Sequence, residues 1–242
     1  DVHGSRGLGD VYKRQVLASV AMSSVLAERC DAAGIPVVLF NRAQQEDRFS
    51  TVTSDNFAGG KALAEFLVAG GHRRIGYIAG WEGASTQRDR EAGFCAGLAE
   101  HGHKLFARGV GDFRTETAAK AARAMFLASE FPDAVFVAND HMAFAVIEEL
   151  RGTLGLRVPE DVSVVGYDDV QLSRWSSFDL TTVRQPSGEM VAETVAALMA
   201  QIEDGETEPR RVKIDGPLVV RGSARRPDDW KANWKECDDE RL

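Results

Sequence analysis

Residues 71–80 read GHRRIGYIAG, and RDREAGF (88–94), PDAVFVANDHMAF (132–144), VPEDVSVVGYDD (158–169) and LTTVRQP (180–186) follow in order. Each reads as a strand of an open α/β sheet or as the loop leaving one. Arg74 to Ala79 is a strand entered through Gly70-Gly71, and Thr86 to Glu100 is the helix after it. Working forward, a strand near Leu105 to Gly109 precedes an alanine-rich helix from Thr115 to Leu127. Ala134 to Ala138 is a short buried strand, His141 to Gly152 a helix and Val162 to Gly166 another strand. Pro186 opens a long helix through Ile202, because proline fits the first turn. Arg211 to Ile214 and Leu218 to Val220 are terminal strands around Gly216-Pro217.

Working backward, Asn56 to Ala69 is a helix and Phe49 to Thr53 a weaker strand. Ile35 to Phe40 is nearly all apolar, as a buried parallel strand requires. Val16 to Ala33 reads as helix, with Gly34 as its stop. Strands alternating with helices of these lengths predict parallel sheets layered by helices. The part before Thr53 is short of strands and lacks an opening one, so it reads as an incomplete lobe. Asp1 to Gln15 shows neither strand nor helix periodicity, and the tail after Pro227 is highly charged; neither is assigned a role.

Composition narrows the function. The chain has 242 residues, 44% hydrophobic and 27% charged, with a formal net charge of −8. An acidic body with only short basic runs is a poor platform for the phosphate backbone of nucleic acid. Cys30, Cys95 and Cys237 are too few and too scattered for a disulfide framework or a zinc site. No apolar run approaches the roughly 18 residues that span a bilayer, which points to a cytoplasmic protein. A dinucleotide site would want a GxGxxG turn after the first strand, and none stands there. His3, His72, His101, His103 and His141 have no companion ligands or nucleophile pattern, so neither a metal, a cofactor nor an enzyme is predicted.

From Ile35 to Arg226 the chain resembles the effector-binding core of the lac-repressor/galactose-repressor family of transcription regulators. The resemblance rests on IPVVLFNR (35–42), VTSDNFAGGKALAEFLVAGGHRRIGYIAG (52–80), RDREAGFCAGL (88–98), PDAVFVANDHMA (132–143), VPEDVSVVGYDD (158–169), LTTVRQP (180–186) and LVVRGS (218–223). It implies a periplasmic-binding-protein-like α/β fold: two Rossmann-like lobes joined by three crossovers, the first lobe incomplete. The expected organisation is an unmatched segment 1–15, a partial first lobe 16–53, and a second lobe 54–184. A return to the first lobe follows at 185–216, then a final second-lobe strand at 217–226 and a charged tail at 227–242. It further implies a homodimer sensing a small-molecule effector, a sugar in first place, and touching DNA only through a helix-turn-helix headpiece that this chain lacks. The competing reading is the substrate-binding protein of a sugar transporter.

The resemblance and the strand-end positions select the candidate ligand contacts. Arg90 can present paired donors to hydroxyls or a carboxylate; Arg88 is its decoy, and Asp89 and Glu91 are possible surface partners. Asp168 ends its strand, where ligands gather in open α/β sheets. Its neighbour Asp169 is read as a rival or as the cap of the next short helix. Asn139 is placed in the same way, with Asp140 as the expected helix cap. Phe113 is a stacking ring or a hydrophobic staple. Thr86, Asn41 and Gln185 complete the set, Thr86 and Asn41 being readable as caps or turn residues and Gln185 as a hinge residue. Arg90→Ala or Asp168→Ala is expected to remove effector binding and leave the fold largely intact.

Overall fold

The structure is a computed structural model that describes residues 15–17, 29–30, 32–42, 49–203 and 208–228. The N-terminal segment to residue 14, most of the expected 16–33 helix and the tail from residue 229 lie outside the described residues. The chain forms two compact units, Asp1–Ser54 with Pro186–Ile214, and Asp55–Gln185 with Asp215–Leu242.

The first unit holds a parallel sheet of β1 (Gln15–Leu17), β2 (Val37–Phe40), β3 (Ser50–Ser54) and β9 (Arg211–Ile214), hydrogen-bonded in that order. Its helix Ser187–Glu203 packs on β2, β3 and β9. The period of two along a strand separates the core: Val38 joins Val52, Met190, Ala197 and Ile214, whereas Val37 and Leu39 join Cys30 and Phe49. One expectation is corrected here. Val16 and Leu17 are not the start of a helix, because Gln15–Leu17 pairs parallel with Val37–Leu39 as an opening strand. Three residues carry too little periodicity to separate strand from helix, and the neighbouring strand decides. Residues 29, 30 and 32 are helical, and Gly34 ends that helix at φ 61°.

The second unit contains α1 (Asn56–Ala69), β4 (Ile75–Ala79), α2 (Ser85–Glu100), β5 (Ala107–Val110), α3 (Thr115–Phe126), β6 (Ala134–Val137) and α4 (Asp140–Glu148). They are followed by β7 (Ser163–Asp168), a 3-10 turn (Gln171–Arg174), β8 (Thr181–Arg184) and β10 (Leu218–Val219). The sheet order is β10-β8-β7-β6-β4-β5, parallel throughout except that β10 runs antiparallel to β8. Asp55 starts α1 by accepting the Ala58 N–H at 2.9 Å.

This order places a reversal between β4 and β6. The connection from β4 leads outward to β5, and that from β6 leads the other way to β7. With right-handed crossovers, α2 therefore covers one face and α3 and α4 the other. Beyond the carboxyl ends of β4 and β6 the two connections diverge and leave a crevice, where ligands of open α/β sheets sit. Below it the sheet is apolar: Val135, Phe136, Val137, Val164 and Val165 are fully buried. Tyr77, Phe94 and Phe136 stack in a triangle with centroids 5.0–5.9 Å apart. Such ring pairs add about 0.5–1.5 kcal/mol each beyond burial.

Candidate functional site

Helix α2 turns Arg90 inward and leaves Arg88 exposed, which separates the candidate from its decoy. Arg90 is 3% exposed, and the chain engages it on every side. Its Nε donates to Asn56 Oδ1 at 2.8 Å, Nη1 to the Ala138 carbonyl at 2.6 Å and Nη2 to Asp168 Oδ1 at 3.1 Å. The guanidinium carbon lies 3.7 Å from the centroid of the Tyr167 ring. One side chain thus joins α1, β6 and β7 across the reversal. Removing it takes a donor from a carbonyl and an amide and leaves Asp168 with Gln185 alone, so Arg90→Ala is expected to cost stability as well as binding, against the sequence expectation of an intact fold.

Strand β7 runs two residues further than the sequence indicated and carries Asp168 at its end, at φ 121°. Gln185 Nε2 donates to the same Asp168 oxygen at 2.8 Å, and its N–H reaches the Asp168 carbonyl at 3.3 Å. The side-chain donors of Arg90 and Gln185 thus converge on Oδ1. The Gln185 Oε1 is buried, and none of the described residues donates to it. A buried acceptor left in this way costs about 1–3 kcal/mol until something donates to it.

The two Asn/Asp and Asp/Asp pairs divide their work differently from the sequence expectation. Asn139, and not Asp140, caps α4: its Oδ1 accepts the Met142 N–H at 3.0 Å. Asp140 points inward and is fully buried. Burial first, and then the charge of Asp168, pushes its carboxyl up to about 6, against hydrogen bonds from Thr182, Ser173 and Val170 that favour the ion. Asp169 is not the cap of the 3-10 turn, whose cap position is Val170 and has no side-chain cap. Its carboxylate is buried between Arg184 Nε at 2.5 Å and Arg221 Nη2 at 2.7 Å, the latter an ion pair without hydrogen-bond angles.

Of the other expected contacts, Phe113 belongs to the same strand ends. It takes φ 55° after Asp112 at φ 56°, and its ring lies where a Cβ on Gly80 would be 2.3 Å away. Glycine at position 80 is therefore required for the ring to seat. Thr86 is buried in the first turn of α2, and Ala84 occupies the cap position, so Thr86 is not the cap. Asn41 lies in the first unit at φ 52°, with its Oδ1 buried and no donor among the described residues.

Sequence reasoning missed three positions. Asn56 is 3% exposed and accepts from Arg90; it directly follows the Asp55 cap and was visible only as part of a helix start. Tyr167 lies under the guanidinium. Gln87 is buried, and its Oε1 accepts from the Tyr77 hydroxyl at 2.8 Å and the Gly80 N–H at 2.7 Å. Its Nε2 donates to Glu91 Oε2 at 2.8 Å, tying the β4–α2 loop to its helix. Among the described residues no group of three or more His, Cys, Asp or Glu could hold a metal ion. Nor is any helix among them long and apolar enough to cross a membrane.

The periplasmic binding protein-like domain model matches residues 64–224. The HTH-type transcriptional regulator CelR of Thermobifida fusca is 36% identical over 215 residues, covering 86% of this chain and 62% of the relative. The HTH-type transcriptional repressor PurR of Photobacterium profundum is 31% identical over 203 residues, covering 83% and 60%. This chain therefore spans about three fifths of the length of these curated relatives. Among solved structures, a transcriptional regulator CelR–cellobiose complex superposes with a TM-score of 0.80 at 34% identity, over 86% of this chain and 65% of that one. A LacI transcriptional regulator from a Rhodococcus species gives 0.81 at 28% identity, over 89% and 79%. With the domain model matching residues 64–224, the chain belongs to the periplasmic binding protein-like domain family, in the form carried by LacI-type transcription regulators.

Proposed function

We propose that this chain is the effector-sensing core of a DNA-binding transcription regulator, a repressor that works as a homodimer in the cytoplasm. Its effector is a small hydroxylated metabolite, a sugar in first place, held at the strand ends around Arg90 and Asp168. DNA is contacted by a helix-turn-helix segment outside this chain. The observation that carries the reading is the Arg90–Asp168–Gln185 cluster: a buried guanidinium and a carboxylate beside a buried amide oxygen to which none of the described residues donates. A sugar hydroxyl can donate to that oxygen and accept from a remaining guanidinium N–H. Phe113, Thr86 and Asn139 add a ring and polar groups at the same strand ends. The relatives named above are regulators, which favours this reading over a transporter's binding protein.

Calorimetric titration against cellobiose, other sugars and purine bases tests it. One sugar is expected to bind, and Asp168→Asn to weaken it by about 100-fold, the size of a charge-assisted contact of about 3 kcal/mol. Arg90→Lys keeps the charge but loses the planar fork and is expected to weaken binding comparably. Binding of a purine base instead of any sugar overturns the sugar assignment, and unchanged affinity in both variants overturns the site.

A further inference from the structure

Asp140 is a buried carboxylate with no cation among its hydrogen-bond partners. Three neutral donors hold it: Val170 N–H to Oδ2 at 3.0 Å, Ser173 Oγ–H to Oδ2 at 2.7 Å and Thr182 Oγ–H to Oδ1 at 2.6 Å. These donors come from both sides of the turn that carries Asp168. Val170 and Ser173 follow β7, and Thr182 lies in β8, the strand next to it. The carboxylate also presses on β7 itself. A Cβ at Gly166, two residues before Asp168, would lie 2.3 Å from Asp140 Oδ1.

The turn needs such a restraint. Asp168 at φ 121° and Asp169 at φ 53° are consecutive residues in backbone regions that side chains disfavour. Conformations of this kind cost about 1–3 kcal/mol each and persist only where the surroundings over-determine them. The helix needs nothing from Asp140, because Asn139 already supplies the cap. A buried carboxylate without a cation is also an expensive way to fill space. What it contributes is direction, since it accepts from three donors at fixed places along the turn.

We infer that Asp140 is a positioning residue of the effector site, whose carboxylate clamps the 166–173 turn so that Asp168 stays against Arg90 and Gln185. This rests on the reading of Arg90 and Asp168 as ligand contacts, but the clamp is measurable without a ligand. Arg90 Nε and Nη1 have partners of their own, so the rotation that Asp168 hinders is the one about the Cζ–Nη2 bond. Resolved Arg90 Hη2 resonances in 15N-edited NMR spectra of the ligand-free protein report it.

The wild type is expected to show resolved signals, and Asp140→Asn to average them as completely as Asp168→Asn does, with the far-ultraviolet circular dichroism unchanged. Asp161→Asn breaks the exposed 2.7 Å pair with Arg157 ahead of β7 and is expected to leave the signals resolved. If Asp140→Asn does not fold, Thr182→Val removes a single donor and is expected to broaden the same signals. Resolved signals in the folded Asp140 or Thr182 variant overturn the clamp, as do averaged signals in the wild type or in Asp161→Asn. Failure of the effector reading shows separately, as the absence of any sugar binding in the calorimetric panel.

Discussion

Asp168 and Asp169 are identical side chains on adjacent residues, and their surroundings give them different work. Asp168 is partly exposed and shares one oxygen between Arg90 and Gln185. The Asp169 side chain is fully buried between Arg184 and Arg221, and Arg221 Nη1 also donates to the Leu180 carbonyl at 2.8 Å. Removing Asp169 leaves the 9%-exposed Arg221 without its carboxylate. Breaking a buried pair from one side costs about 3–5 kcal/mol. Asp169→Ala is therefore expected to lower the urea midpoint by that equivalent, whereas Asp168→Asn shifts it much less and acts on affinity. Equal losses of stability in the two variants would show that the residues share one role. Sequence alone could rank such pairs by position but could not orient them. Asn139 took the cap and Asp140 the interior because the second residue of the pair faces Thr182 and Ser173, which lie 42 and 33 positions later.

At the scale of elements, α1 and α2 meet through glycine. A Cβ on Gly93 would lie 2.0 Å from the Phe57 carbonyl oxygen, and one on Gly60 2.2 Å from that of Arg90. Both obstacles are backbone, so neither can move aside without parting the helices. Gly93→Ala is expected to destabilise by about 3 kcal/mol, the upper range for overpacking. It also shifts α2, which carries Arg90, so affinity falls with stability. Gly188 lies in the first turn of the Ser187–Glu203 helix, where an added methyl group would meet nothing within 4 Å. Gly188→Ala is expected to stabilise by up to about 1 kcal/mol through helix propensity. Opposite signs in urea unfolding check both. The alternation of strands and helices from residue 71 onward was legible because β4, β6 and the first part of β7 are near-continuous apolar runs separated by helix-length segments. The strand at Gln15–Leu17 was not, because its identity depends on pairing with Val37–Leu39 and not on its own pattern.

For the whole molecule, two buried titratable groups oppose each other in acid. His72 is buried on the far side of the sheet from the site's strand ends, before β4, with Nδ1 3.3 Å from Asp133 Oδ1. Burial, and then the charge of Arg225, holds its imidazole below the ordinary histidine range, against the pull of Asp133. The folded state thus binds fewer protons than the unfolded state, and stability is lost as pH falls below about 6.5. Asp140 has the reverse sign. Its carboxyl is pushed up to about 6, so the folded state binds more protons, and stability is lost as pH rises from about 4 through about 6. That gap corresponds to about 3 kcal/mol. Urea midpoints at pH 5 and pH 8 are expected to show His72→Gln gaining stability on acidification relative to wild type, and Asp140→Asn losing it. Parallel profiles for all three proteins would overturn both assignments. What the sequence by itself determined is the α/β order, the strand ends that gather polar groups and the family to which those stretches belong, because apolar runs, glycine stops and contiguous motifs are local. Only the tertiary structure decided which arginine turns inward, that Asn139 caps while Asp140 turns into the interior, and where the first sheet begins. Those outcomes depend on burial and on partners tens of residues away, which no local pattern carries.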